Sequence, residues 1–258
     1  MWTGIDEIIE ALPGHIGVYL LNTATGEEYA HQADDPIEAA SVIKLTVMAE
    51  AFRQFEAGLL DPSEAVSIRP SDKLPSCGAL SYMHDGLSVT LLDLVTLMII
   101  LSDNTATNLL IDRLGMDNIN AMIGSLGLRC TRLNRKLFMP ELARQGIKNY
   151  VGARDMGMLL MRLAEGRVVS ADASRKMLDI LKKQRLNGKM PFFLHDKGIV
   201  CAHKTGEDDG VTHDVGVICA EQPIIFCFLS EMTDVPRAER AIQDIAALCA
   251  KIPLDTSI

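Results

Sequence analysis

The stretch Val89–Leu101, VTLLDLVTLMIIL, leads straight into Ser102-Asp103-Asn104, and its reading decides the fold. It is the longest apolar run in the chain, and Thr90, Asp93 and Thr96 interrupt it. A membrane span needs about 20 residues, so the run is too short to cross a bilayer. As a helix it is apolar on every side, which predicts the buried centre of a helical lobe. Working outward, Thr105–Leu114 reads as a helix closed by Gly115, and Met116–Leu126 as another closed by Gly127. Asp155–Ala164 and Ser174–Lys183 continue the helical pattern. Upstream, Val42, Leu45, Met48, Ala49 and Phe52 share one stripe of a long helix that opens at Ser41 and stops at Gly58. Residues 61–87 are rich in Pro, Gly, Ser and Asp and read as loop.

The two chain ends read differently. Gly14–Asn22 and Glu27–His31 flank a Thr-Ala-Thr-Gly turn, a β-hairpin signal. Ile199–Lys204, Val211–Ala220 and Pro223–Ser230 are β-branched and aromatic runs separated by turns, and helices over 5–12 and 236–250 flank these strands. Strands at both ends with helices between predict an α/β (α+β) fold: an antiparallel sheet flanked by helices, with an all-helical lobe inserted. On this division residues 1–35 and 168–258 build the sheet lobe and 36–167 the helical lobe, with the site between them.

Composition excludes several classes. The 258 residues are 48% apolar and 23% charged, which is globular and rules out disorder, collagen and coiled coil. With 25 basic and 34 acidic residues the net charge is −9, the wrong sign for a polyanion-binding protein, so no nucleic-acid partner is expected. The N-terminus has neither a basic n-region nor an apolar h-region. The expectation is a soluble, cytoplasmic protein without membrane contact, unless a leader has been removed. The six cysteines form no C-x-x-C pair, and buried free thiols account for all of them. His15, His31, His84 and His195 lack i,i+4 partners, so no metal is expected, and no cofactor is implied.

Three short motifs occur in order: Ser41-Val42-Ile43-Lys44, Ser102-Asp103-Asn104 and Lys204-Thr205-Gly206. Each alone is weak. Together, each on the element it needs, they form the signature of class A β-lactamases and penicillin-binding proteins. The chain resembles the penicillin-recognising serine hydrolases, closest to the class A β-lactamases. The resemblance covers nearly the whole chain, including LSDNTATNLLIDRLG and AHKTGEDDGVTHDVGVI around the second and third motifs.

The chemistry of the residues agrees. Ser41 at a helix start faces the positive end of the dipole, which favours an alkoxide-like nucleophile. Lys44 lies one turn on, on the same face. A buried ammonium there has a depressed pKa and takes the serine proton. Ser102 relays a proton between Lys44 and the leaving nitrogen, Asn104 holds a substrate amide, and Asp103 tethers backbone. Lys204 and Thr205 receive a substrate carboxylate, and Gly206 permits close backbone approach. The resemblance further implies that the backbone N–H groups of Ser41 and Glu207 form the oxyanion hole.

The chain also departs from that family. Class A enzymes carry R-x-E-x-x-L-N, whose glutamate activates the deacylating water. Here Arg135 fits the arginine, but Leu137 stands at the glutamate position. Glu141 is the nearest acidic alternative, either a shifted base or a plain loop glutamate. Without a base the acyl-enzyme persists. The expected activity is a serine hydrolase acting on β-lactam amides through an acyl-enzyme, with slow deacylation. A DD-peptidase-like or esterase activity, or an acylated penicillin-binding sensor, is the alternative. The partner is a small molecule carrying a carboxylate. The resemblance places the loop with Cys77 and Tyr82 beside the cleft, where Tyr82 either lines it or lies on the surface. His203 points away from Lys204 on an alternating strand, and His213 and Asp214 face opposite sides of theirs.

Overall fold

The protein is described by a computed structural model over residues 2–75 and 77–252. In chain order the elements are α1 (Ile5–Glu10), β1 (His15–Asn22), β2 (Glu28–His31), β3 (Ile37–Glu38), α2 (Lys44–Glu56), β4 (Ala65–Ser67) and β5 (Ser88–Thr90). There follow α3 (Leu91–Ile100), α4 (Asn104–Leu114), α5 (Met116–Ser125), α6 (Pro140–Arg144), β6 (Tyr150–Val151), α7 (Ala153–Ala164) and α8 (Ala171–Leu181). The chain then forms β7 (Val200–Asp208), β8 (Val211–Cys219), β9 (Ile224–Glu231) and α9 (Val235–Cys249).

Five strands form one antiparallel sheet in the order β2-β1-β9-β8-β7, so the last three strands add to the first hairpin and leave β7 at an edge. The architecture is the α+β arrangement expected from strands at both ends. Both faces of the sheet are covered, which is why β1 and β9 are apolar almost throughout rather than alternating. The pleat sorts their side chains. Val18, Leu20, Phe226 and Phe228 pack with α1 and α9. Tyr19, Ile225, Cys227 and Leu229 join the larger core, which continues through α7 and α8 into α2, α3, α4 and α5. Among the described residues no helix is long and apolar enough to cross a membrane.

Element ends moved where caps govern them. α3 begins at Leu91 because Thr90 and Asp93 form a reciprocal capping box. Leu92 on this helix is 40% exposed, so the run is buried on most of its circumference but not on every side. α8 begins at Ala171, capped by Ser170, rather than at Ser174. The segment read as loop over 61–87 holds β4, paired with β5. Three of the six cysteines, Cys201, Cys227 and Cys249, are buried. Cys77 and Cys219 are exposed and Cys130 is intermediate, which corrects the reading of six core thiols.

Candidate active site

Ser41 lies in a 3-10 turn, Ala40–Ile43, that runs directly into α2 at Lys44. Ala40 just before it has φ +41°. Ser102 sits between α3 and α4 at φ +53°, and Phe138 has φ +55°. For residues with a Cβ the left-handed region costs about 1–2 kcal/mol each. Ala40 and Phe138 line one cleft with Asn104, and Lys44 bonds both Asn104 and Ser102.

Asp103 fixes the Ser102 turn. One carboxylate oxygen caps α4 by accepting from Ala106 N at 2.9 Å. The other accepts from Ala79 N and Leu80 N at 2.7 and 2.9 Å, so it tethers backbone as the sequence predicts. Asn104 N donates to Cys77 O, lacing the same loop down. Gly78, at φ +118°, lies so close that a Cβ there would meet Asp103 Cγ at 2.3 Å.

The two motif lysines are fully buried and meet at one hydroxyl. Lys44 Nζ donates to Ser102 O at 2.8 Å, Ser102 Oγ at 3.0 Å and Asn104 Oδ1 at 2.7 Å. Lys204 Nζ reaches the same Ser102 Oγ at 3.0 Å and Thr205 O at 2.7 Å. Burial drives Lys44 well below the ordinary lysine range, and the Lys204 charge adds to the effect. Burial likewise brings Lys204 down to about 7, with Lys189 pushing the same way and Asp214 opposing. Among the described residues no hydrogen bond joins the Ser41 hydroxyl to Lys44. Catalytic bonds of that kind commonly tighten only with substrate bound.

The cleft has a volume of about 360 Å³, and Ser41, Asn104, Leu137, Phe138 and Glu207 line it. Thr205 and Gly206 are buried in β7 beside Lys204. Gly206 has a second reason to be glycine. A Cβ there would meet His213 Cδ2 at 2.7 Å, and His213 is locked: Nε2 donates to Glu38 O at 2.8 Å and Nδ1 accepts from Ser230 N at 3.0 Å. Burial holds its pKa down to about 4. His203 points the other way, 2.8 Å from Asp214 Oδ1 and 3.1 Å from Asn187 Oδ1.

Two candidates fall outside the cleft. Glu141 is the second residue of the short α6, where its side chain is 81% exposed and pairs with Arg144 at 3.2 Å. Its place in the lining is taken by Pro140 and Ala143 on either side. Tyr82 is 83% exposed and does not line the cleft, because the loop is pinned to Asp103 through Ala79 and Leu80 and places Cys77 there instead. Sequence reading also passed over Lys189, whose buried Nζ reaches Gly206 O at 3.2 Å and Glu207 Oε1 at 3.0 Å. It passed over Glu38 and Asn149 as well, both on the cleft wall; no local pattern marks any of the three. Among the described residues no cluster of three His, Cys, Asp or Glu could hold a metal ion.

A serine at a strained turn, a buried lysine one turn on whose pKa is pushed well down, and a second serine between two lysines define a serine hydrolase of the acyl-transfer class. Comparison with known proteins agrees. The model of the β-lactamase enzyme family matches residues 1–252, and the chain belongs to that family. It is 28% identical to β-lactamase Toho-1 of Escherichia coli over 96% of this chain and 87% of that one. It is 32% identical to β-lactamase L2 of Stenotrophomonas maltophilia over 69% of this chain and 59% of that one. Among solved structures, a β-lactamase from Sphaerobacter thermophilus superposes with TM-score 0.90 at 34% identity, covering 98% of this chain and 100% of that one. PBP-A superposes with TM-score 0.86 at 28% identity, covering 96% and 93%. A leucine-to-glutamate variant of PBP-A has been captured as an acyl-enzyme with penicillin G.

Proposed function

We propose that the chain opens β-lactams through an acyl-enzyme on Ser41 and releases the product slowly. The observation that carries this reading is the convergence of Lys44 and Lys204 on Ser102 Oγ at 3.0 Å each, with Lys44 also bonded to Asn104 of the cleft that holds Ser41. Ser41 Oγ attacks the lactam carbonyl and its proton passes to neutral Lys44. As the C–N bond breaks, Ser102 delivers a proton to the leaving nitrogen and is resupplied by Lys44. Lys204, with Thr205, receives the substrate carboxylate, and the amides of Ser41 and Glu207 take the developing oxyanion, a donor pair of which each member is typically worth about 3–4 kcal/mol.

Slow release follows from the cleft floor. Leu137 is 8% exposed and lines the cleft. Of the carboxylates that line the cleft, Glu38 has its two oxygens turned to Lys148 and Arg135, and Glu207 is paired with Lys189. Incubation with penicillin G and intact-protein mass spectrometry tests the reading. An adduct that persists on the wild type and is absent from Ser41→Ala supports it. Absence of both adduct and nitrocefin turnover overturns it, and turnover confined to p-nitrophenyl esters moves the assignment to an esterase.

A further inference from the structure

The Glu38 side chain joins three parts of the site that are far apart in sequence. Its peptide is pinned to the sheet from both sides, its N–H donating to Glu231 Oε2 at 3.0 Å and its carbonyl accepting from His213 Nε2 at 2.8 Å. Its side chain, 13% exposed, reaches the other way. Oε2 meets Lys148 Nζ at 2.7 Å and Oε1 lies 3.8 Å from Arg135 Nη2. Arg135 and Lys148 stand at the two ends of one loop, residues 134–149. The loop neck is closed around them: Asn149 Oδ1 accepts from Asn134 N and Arg135 N, Asn149 Nδ2 donates to Arg135 O, and Arg135 Nε donates to Ile147 O. Between these ends the loop supplies Leu137, Phe138 and Met139 to the cleft. Asn108 on α4 fixes Leu137 at its far side, accepting from its N–H at 2.8 Å and donating to its carbonyl at 2.9 Å.

We propose that Glu38 is a positioning residue: its carboxylate clasps Arg135 and Lys148 and thereby sets the cleft wall, residues 137–139, relative to the turn that carries Ser41 three residues further on. Both carboxylate oxygens face cations, so the group holds the loop rather than activating water. Glu38 and Arg135 are largely withdrawn from solvent, where opposite charges interact more strongly than exposed pairs, while Lys148 stays 38% exposed. The pair is also anchored on both sides by backbone that cannot follow if it breaks. Lys148 is held above its ordinary pKa chiefly by its bond to Glu38.

The test compares Glu38→Gln, Lys148→Met and the double variant, each as the full chain. Only the kinetic arm rests on the acyl-transfer reading; hydrogen exchange needs no substrate, so the two can fail separately. In either single variant, amide exchange over 134–149 accelerates about tenfold or more while the sheet is unchanged, and the double variant is no faster than the singles. The apparent KM for acylation by nitrocefin rises about threefold or more, with the limiting acylation rate altered less than about twofold. Unchanged loop exchange in Glu38→Gln, additive effects in the double variant, or faster exchange spread over the whole molecule each overturn the proposal.

Discussion

Lys44 and Lys204 approach the same oxygen, Ser102 Oγ, each at 3.0 Å and each fully buried. Two ammonium groups so placed repel strongly in a low dielectric, which opposes charging both at once. Burial and this repulsion push Lys44 well below the ordinary lysine range, and burial brings Lys204 down to about 7. The shared hydroxyl serves both. It has two lone pairs, so it accepts from Lys44 Nζ and from Lys204 Nζ at once. In the proposed mechanism Lys44 is the base and Lys204 the anion receptor.

The first consequence is a pH profile. Lys204 carries its charge below about 7 and loses it above. The second-order rate constant for acylation by an anionic β-lactam therefore falls as pH rises beyond that point, by up to about tenfold per pH unit. Lys204→Arg keeps the charge and removes this alkaline limb. Stopped-flow acylation across roughly pH 5.5–9 checks it, and a flat profile in the wild type defeats the assignment.

Ser102→Ala removes the link between the lysines. Lys44 keeps Ser102 O and Asn104 Oδ1 as acceptors, so the fold is retained. Loss of the proton relay slows acylation by about 10²–10⁴-fold. The same adduct on Ser41 still forms, only later, and a time course of intact mass distinguishes this from loss of the nucleophile.

Gly206→Ala sets a methyl group 2.7 Å from His213 Cδ2. His213 cannot retreat without freeing Glu38 O and Ser230 N. Overpacking of this kind costs about 1–3 kcal/mol. At about 2–4 °C per kcal/mol for a chain of this size, thermal unfolding shifts down by several degrees. Calorimetry on the purified variant gives the answer, and an unchanged Tm shows that the strand edge yields freely.

His213 also shapes stability against pH. Its folded pKa, about 4, lies below the unfolded value of 6.5. Below 6.5 the unfolded chain binds a proton that the folded one does not, so stability is lost as pH falls from 6.5 towards 4, by up to about 3 kcal/mol. His15 works in the opposite direction. Its folded pKa is raised beside Asp35 and Glu231, so its contribution is full below 6.5 and is lost as pH rises. Urea midpoints of the wild type and His213→Asn separate the two, because only the wild type carries the acid-side loss from residue 213.

How far these features could be read from the sequence depends on how locally they are encoded. Ser41, Lys44, Ser102 and Lys204 could be singled out because each belongs to a short motif, and the structure brings Lys44, Ser102 and Lys204 together at one hydroxyl; Asp103 does tether backbone, as expected. The strands at both chain ends were legible from their β-branched runs. That β9 inserts between β1 and β8 was not, since no residue pattern states which strand lies beside which. The two-residue strands β3 and β6 are too short to show a period. Glu38, Lys189 and Asn149 stayed hidden because they act across the chain: His213 reaches Glu38 over 175 positions and Lys189 reaches Glu207 from an unmarked turn. Glu141 was the nearest acidic alternative, either a shifted base or a plain loop glutamate, and it lies exposed beside Arg144, outside the cleft.

Leu137→Glu turns the cleft floor into a test of the release step. The Leu137 backbone is held on both sides by Asn108 and its side chain is 8% exposed, so a carboxylate there enters the cleft that contains Ser41 rather than solvent. Burying it costs about 1–3 kcal/mol of stability. In return it places a general base against the acyl group, an effect worth about 10²–10⁴-fold where the geometry is right. The acyl-enzyme formed with penicillin G is therefore expected to decay at least about tenfold faster than in the wild type, with formation little changed. Quenched-flow mass spectrometry measures both rates. An unaltered decay rate would mean that release is limited by something other than the absence of a carboxylate at residue 137.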